Sequence, residues 1–304
     1  MGGCKLRLFG IKKFQPAKFL STFRERKIRV LDLDINYIET LGNSKDAHPI
    51  LILPGGFGSI QMDIKPILPA LDTEKFKWIG WDSVGHGKSR PPNRPYLPTG
   101  YGCSYEFDVK YATELMKKLE IDYYTILAWS GGGVTGMMMA NLHPERISSL
   151  VTWGTFGFLG QETNQLFKRF RKIGSNGIPD SRRIELIEIY GEKLLQEMWH
   201  DAMTEMIAMC ESNVYREGGS FEDVIKNIQC PTLIIHGTKD TFFPVSYAHH
   251  LNSTLANSRL HIVKNGTHNL HLRQTHEFVN CIQNFVESCL QQDQLAKRKI
   301  RSIM

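Results

Sequence analysis

The chain has 304 residues, 41% apolar and 22% charged, the balance of an ordinary globular protein long enough to bury one sizeable core. No uninterrupted apolar run approaches the roughly 20 residues of a membrane-spanning helix, so no integral membrane segment is expected. The net charge of +6 sits at the start: residues 1–29 hold nine Lys/Arg against the single acid Glu25, and the remainder sums to −2, which leaves no broad basic face for nucleic acid.

Residues 1–27 read as a basic leader. Leu6, Leu8, Phe9, Ile11, Phe14, Phe19, Leu20 and Phe23 are mixed among its cations, a composition that resembles a mitochondrial transit peptide, with a cytoplasmic location as the alternative. Two alternating runs follow, Ile28 to Asp34 and Ile35 to Leu41, as an antiparallel start to a sheet. Pro49 to Leu53 and Phe76 to Trp81 are short apolar runs of the kind buried on both faces of a sheet; glycine-rich loops follow both. After a proline-rich loop, Ser104 is placed to cap a helix whose apolar positions Phe107, Tyr111, Leu115 and Leu119 recur at helical spacing. Tyr124 to Trp129, Val134 to Leu142 and Ile147 to Trp153 read as strand, helix and strand.

The alternation then breaks. Residues 154–228 contain no strand pattern but do contain helical segments at Ile184 to Tyr190 and Glu192 to Cys210, with a capping-box pattern at Ser220-Phe221-Glu222-Asp223. From Pro231 it resumes: strand Thr232 to His236, helix Val245 to Leu251, strand Arg259 to Val263, helix His276 to Leu290. Residues 28–153 and 229–290 are thus read as an α/β core with a mostly parallel sheet, 154–228 as an inserted helical lid above the strand ends, and 291–304 as a basic C-terminal tail. The six cysteines are scattered without a C-x-x-C pair, as in a reducing compartment, and neither His249-His250 nor His268 with His271 comes with the further ligands of a metal site.

The chemistry concentrates at Ala128-Trp129-Ser130-Gly131-Gly132, where an apolar strand stops at a serine and a helix follows at once. This is a nucleophile-elbow layout with alanine at its first small position. A serine hydroxyl needs a base within reach, and the base needs a group to orient it. Asp240 directly follows the strand Thr232 to His236, and His268 directly follows the strand Arg259 to Val263, so both fall at the same edge of a parallel sheet as Ser130, in the order serine, acid, histidine. Asp82, His86 and His271 are worse placed. Donors for an oxyanion are expected from the backbone N–H of Gly131, at the helix start, and of Gly56, in the loop after the Pro49 to Leu53 strand.

The segments Leu53 to Ser59, Trp81 to Pro92, the elbow, His236 to Asp240 and Gly266-Thr267-His268-Asn269-Leu270-His271-Leu272-Arg273 make the chain resemble the α/β-hydrolase superfamily, and more closely the biphenyl-hydrolase-like or valacyclovir-hydrolase family. The resemblance runs from about residue 28 to about residue 290 and implies an α/β-hydrolase fold: an eight-stranded, mostly parallel sheet covered by helices on both faces, with the lid after strand 6. It also implies a cofactor-free serine hydrolase acting on small carboxylic esters; a monomer is expected, with neither metal nor nucleic acid bound, as the histidine spacing and the charge distribution indicate. Phe57, Trp129, Phe156, Phe158 and Trp199 are the candidate substrate contacts, with Met206 a further lid candidate. One departure stands out. The amino-acid-ester hydrolases of that family are expected to carry an aspartate after the nucleophile, where this chain has Gly131; Glu185, Glu188 and Glu197 are the acids that would substitute for it. A carbon–carbon bond hydrolase, a cofactor-free haloperoxidase and a small-molecule receptor with little turnover remain alternatives on the same fold.

Overall fold

The computed structural model describes residues 22–42, 44, 46–96, 103–212 and 221–303. The leader up to residue 21, Pro98 and Ser220 lie outside the described residues. Eight strands form one sheet: β1 (Phe23–Val30), β2 (Leu33–Thr40), β3 (His48–Leu53), β4 (Phe76–Trp81), β5 (Tyr124–Trp129), β6 (Ile147–Trp153), β7 (Thr232–Gly237) and β8 (Ser258–Val263). They lie in the order β1-β2-β4-β3-β5-β6-β7-β8, and only β2 runs against the others.

The opening hairpin differs from its sequence expectation. Its two-residue turn is Leu31–Asp32, with Leu31 at φ 51°, rather than the junction of Asp34 and Ile35, and the ladder runs from Phe23↔Thr40 to Val30↔Leu33. A period of two fixes which residues share a face but not where the chain reverses, so the pattern left the turn free to slide. Residues 23–27, assigned to the leader, are therefore strand, and Arg26 bonds Tyr37 and Glu39 across the hairpin.

The inner strands are buried throughout because each face carries its own core. Leu51, Ile126, Ala128, Leu150 and Ile234 face one cluster, completed by apolar side chains of α1 (Ser104–Lys118) and α2 (Gly131–Leu142). Ile52, Leu127, Trp129, Val151, Trp153 and Ile235 face the other, closed by Phe278, Val279, Ile282 and Phe285 of the C-terminal helix. Between β6 and β7 come α3 (Gln161–Ile173), α4 (Asp180–Tyr190), α5 (Glu192–Ser212) and α6 (Phe221–Lys226). The first of these was not anticipated, because its glycine-bounded segment is mostly polar and buries only Thr163 and Phe167. α7 (Val245–Thr254) and the short α8 (Leu270–Arg273) follow, and the last helix, α9, runs Thr275–Ile303. The segment read as a tail from residue 291 is thus helical: a polar, Gln- and Lys-rich sequence has good helix propensity and continues a helix already nucleated by its packed N-terminal half.

The loops above the strand ends are held by two buried acids. Asp82 accepts from the backbone N–H of Ile60 (2.7 Å) and Lys88 (2.8 Å) and from the Asn36 amide (2.7 Å), joining three segments. Asp108 on α1 takes a two-pronged bond from Arg94 (2.8 and 2.7 Å), whose guanidinium also donates to the carbonyls of Val84 and Ser104. Both partners are almost fully buried, so removing one strands the other's charge. Arg94→Met is expected to lower stability by about 3–5 kcal/mol, measured by urea unfolding; a loss under about 1 kcal/mol would show that the pair is not structurally important.

Candidate active site

Ser130 sits between β5 and α2 with φ 52° and ψ −119°. Its N–H bonds the Trp153 carbonyl on the neighbouring strand (3.0 Å), and its carbonyl accepts from Gly133 N (2.9 Å) and Thr155 Oγ1 (2.8 Å). The backbone is pinned on both sides while the hydroxyl stays free to point off the end of the sheet. The register places Trp129 beside Trp153, and β7 and β8 end at the same rim.

The two expected partners arrive from that rim. The imidazole Nε2 of His268 is 3.0 Å from Ser130 Oγ, and its Nδ1 is 2.8 Å from Asp240 Oδ2. The other Asp240 oxygen accepts from the N–H groups of Phe242 (2.8 Å) and Phe243 (3.1 Å), which fixes the carboxylate plane. Burial pushes the Asp240 carboxyl up, but the bond and charge of His268 and these two N–H donors win and hold it below the usual range. The His268 carbonyl is fixed as well, by the Trp129 indole N–H at 3.0 Å, so the residue before Ser130 anchors the loop that carries His268. Of the rivals, Asp82 joins loops as described. His271 is buried against Trp129 and accepts from the Trp153 indole (3.1 Å), and His86 bonds the Tyr96 hydroxyl (3.0 Å).

Gly131 and Gly56 lie side by side. A Cβ built on Gly131 would stand 3.6 Å from Gly56 N, with the Tyr105 ring at 3.2 Å. Both glycines line a cavity of about 390 Å³ that also takes in Ser130 and His268. Four of the five candidate substrate contacts line it too: Phe57, Trp129, Phe156 and Trp199, as does Met206. Phe57 and Trp199 are stacked at 5.5 Å, one from the core loop and one from α5. Phe158 does not line it. Its ring stacks outside on Tyr247 (4.4 Å) and meets His250.

Comparisons with known proteins place the chain in a family. The α/β hydrolase fold family model matches residues 48–188, and a model for PhoPQ-activated pathogenicity-related protein matches residues 183–302. A putative lipase from Acinetobacter baumannii AYE superposes with a TM-score of 0.74 at 17% identity, over 93% of this chain and 99% of that one. Serine hydrolase BPHL of Mus musculus is 32% identical over 89% of this chain and 89% of its own length, and that of Homo sapiens is 31% identical over the same shares. The chain belongs to the biphenyl hydrolase-like serine hydrolases. It is accordingly an α/β-hydrolase and a serine hydrolase.

Within this biphenyl hydrolase-like chain the acids expected to replace an aspartate at position 131 are misassigned. Glu185, Glu188 and Glu197 are exposed and do not line the cavity. Two other acids do: Asp108, paired with Arg94, and Glu205, buried on α5, whose carboxylate accepts from the N–H (2.7 Å) and hydroxyl (2.6 Å) of Ser104. Ser104 is thus not the cap of α1 but its first residue, capped in turn by a carboxylate from another helix. A sequence signal existed: Glu205 follows Met198 and Ala202 at helical spacing, on the apolar stripe of α5.

Desolvation lifts the Glu205 carboxyl to about 7, the Ser104 bonds only partly opposing it. A carboxyl that binds its proton more tightly when folded stabilises the fold below its unfolded pKa and loses that contribution as pH rises to about 7 and beyond. Wild type should therefore lose, relative to Glu205→Gln, on the order of 2–3 kcal/mol of stability between pH 4.5 and pH 8. Parallel urea titrations at the two pH values check this; equal pH slopes in the two proteins would refute it.

Proposed function

We propose that this serine hydrolase cleaves small carboxylic esters through Ser130, His268 and Asp240. The observation that carries the reading is the unbroken chain of contacts from Asp240 Oδ2 through both imidazole nitrogens to Ser130 Oγ, at 2.8 and 3.0 Å. Ser130 Oγ attacks the acyl carbon while His268 Nε2 takes its proton. The carbonyl oxygen, now an anion, is received by the N–H groups of Gly56 and Gly131, and the positive end of α2 adds to their pull. His268 then returns the proton to the departing alcohol, and the acyl group stays on Ser130 as an ester. Water deprotonated by the same imidazole attacks that ester, the acid leaves, and Ser130 recovers its proton.

Asp240 holds the imidazole in the tautomer that presents a lone pair to Ser130 and stabilises the imidazolium once formed. The aromatic walls from Phe57, Phe156 and Trp199 suit an apolar acyl group of modest size. Helices α3 to α6 act as the lid over it. The basic composition of residues 1–27 supports import into mitochondria, and the enzyme is read as a monomer.

A fluorophosphonate probe is expected to label wild type and not Ser130→Ala; equal labelling of both would remove Ser130 from the mechanism. Asp240→Asn should lower kcat on a p-nitrophenyl ester by about 10³–10⁴-fold, read in a steady-state assay. A loss below about tenfold would assign the orienting role elsewhere.

A further inference from the structure

Four cationic side chains line the cavity, and two of them are committed. Arg94 is bound to Asp108, and Arg182 pairs with buried Asp63 at 2.8 Å while covering the Trp129 ring. Lys239 and Arg273 are not committed: both are exposed, and neither side chain has an ion-pair or hydrogen-bond partner among the described residues. Lys239 directly precedes Asp240 after β7, and Arg273 closes α8, the short helix that follows His268. The two loops that deliver the acid and the base therefore also deliver uncompensated positive charge.

No carboxylate among the described residues pairs with either cation. Among the described residues lining the cavity, the carboxylates outside the triad are Asp108, neutralised by Arg94, and Glu205, with both oxygens taken by Ser104. The position after the nucleophile is Gly131, and Glu185, Glu188 and Glu197 lie outside. The side of the substrate is fixed by the chemistry. His268 must reach the oxygen of the departing alcohol, so the groups flanking His268 face that alcohol rather than the acyl chain.

Resting on the ester-hydrolase reading, we infer that the preferred substrates carry an anionic group, a carboxylate, on the alcohol side, held by the field of Lys239 and Arg273, and that cationic alcohols are disfavoured. The apolar walls take the acyl chain, and the cationic edge selects the leaving group. Exposed charges of this kind discriminate by electrostatic attraction that salt screens.

The test uses three butanoate esters: of 4-hydroxybenzoate, of neutral 4-hydroxybenzamide and of 4-hydroxyphenyltrimethylammonium. The readout is the ratio of kcat/KM values, each normalised to uncatalysed hydrolysis, because a general loss of activity in a variant leaves that ratio unmoved. Wild type is expected to favour the anionic over the neutral ester by about five- to tenfold at low ionic strength. The ratio should fall to about one in the double variant Lys239→Gln/Arg273→Gln, and in wild type at about 0.5 M NaCl. A wild-type ratio at or below one, a preference that the double variant keeps, or fastest turnover of the trimethylammonium ester would overturn the proposal. Turnover of none of the three would instead sink the ester-hydrolase reading, and this inference with it.

Discussion

The site depends on one backbone constraint, the left-handed φ of Ser130. An L-residue held at such a φ costs about 1–3 kcal/mol, and it persists only because the surroundings leave no alternative. The Trp153 carbonyl holds its N–H, Thr155 and Gly133 hold its carbonyl, and the chain must enter α2 at once. That entry explains the run of glycines. A Cβ on Gly132 would stand 2.4 Å from the Pro54 carbonyl, and one on Gly133 would stand 2.5 Å from Thr155 Oγ1. The elbow is so tightly enclosed that side chains have been stripped from the turn to leave one hydroxyl exposed at its apex.

The second constraint is aromatic. Trp129 bonds the His268 carbonyl, packs its ring 4.4 Å from His271, and lies under the Arg182 guanidinium. His268 is thereby positioned from the strand that precedes Ser130, so the two residues share one support rather than two. Burial, reinforced by the charges of Arg182 and His268, keeps His271 neutral well below its ordinary range, and it accepts the Trp153 indole N–H as a core residue.

Much of this was legible in the sequence, for a definable reason. Strands buried on both faces read as short apolar runs, and a parallel sheet sends each C-terminal end to the same rim, so Ser130, Asp240 and His268 follow from strand position and chain order alone. What failed were features that a one-dimensional pattern underdetermines. The hairpin turn slid because alternation is indifferent to it, and α3 was missed because it buries so little. Phe158 and the three glutamates were misjudged because being in the right segment does not say which way a side chain faces. Glu205 was legible as a polar residue on an apolar stripe, yet its partner Ser104 lies a hundred positions away, and no local signal connects them.

The Arg182–Asp63 pair bears on how molecules enter and leave. Asp63 is almost wholly enclosed, and its only cationic partner among the described residues is carried on α4. Lifting that helix away would abandon a carboxylate in a dry interior, a penalty of several kcal/mol on each opening. Wholesale swinging of the helical cover is thus an expensive route.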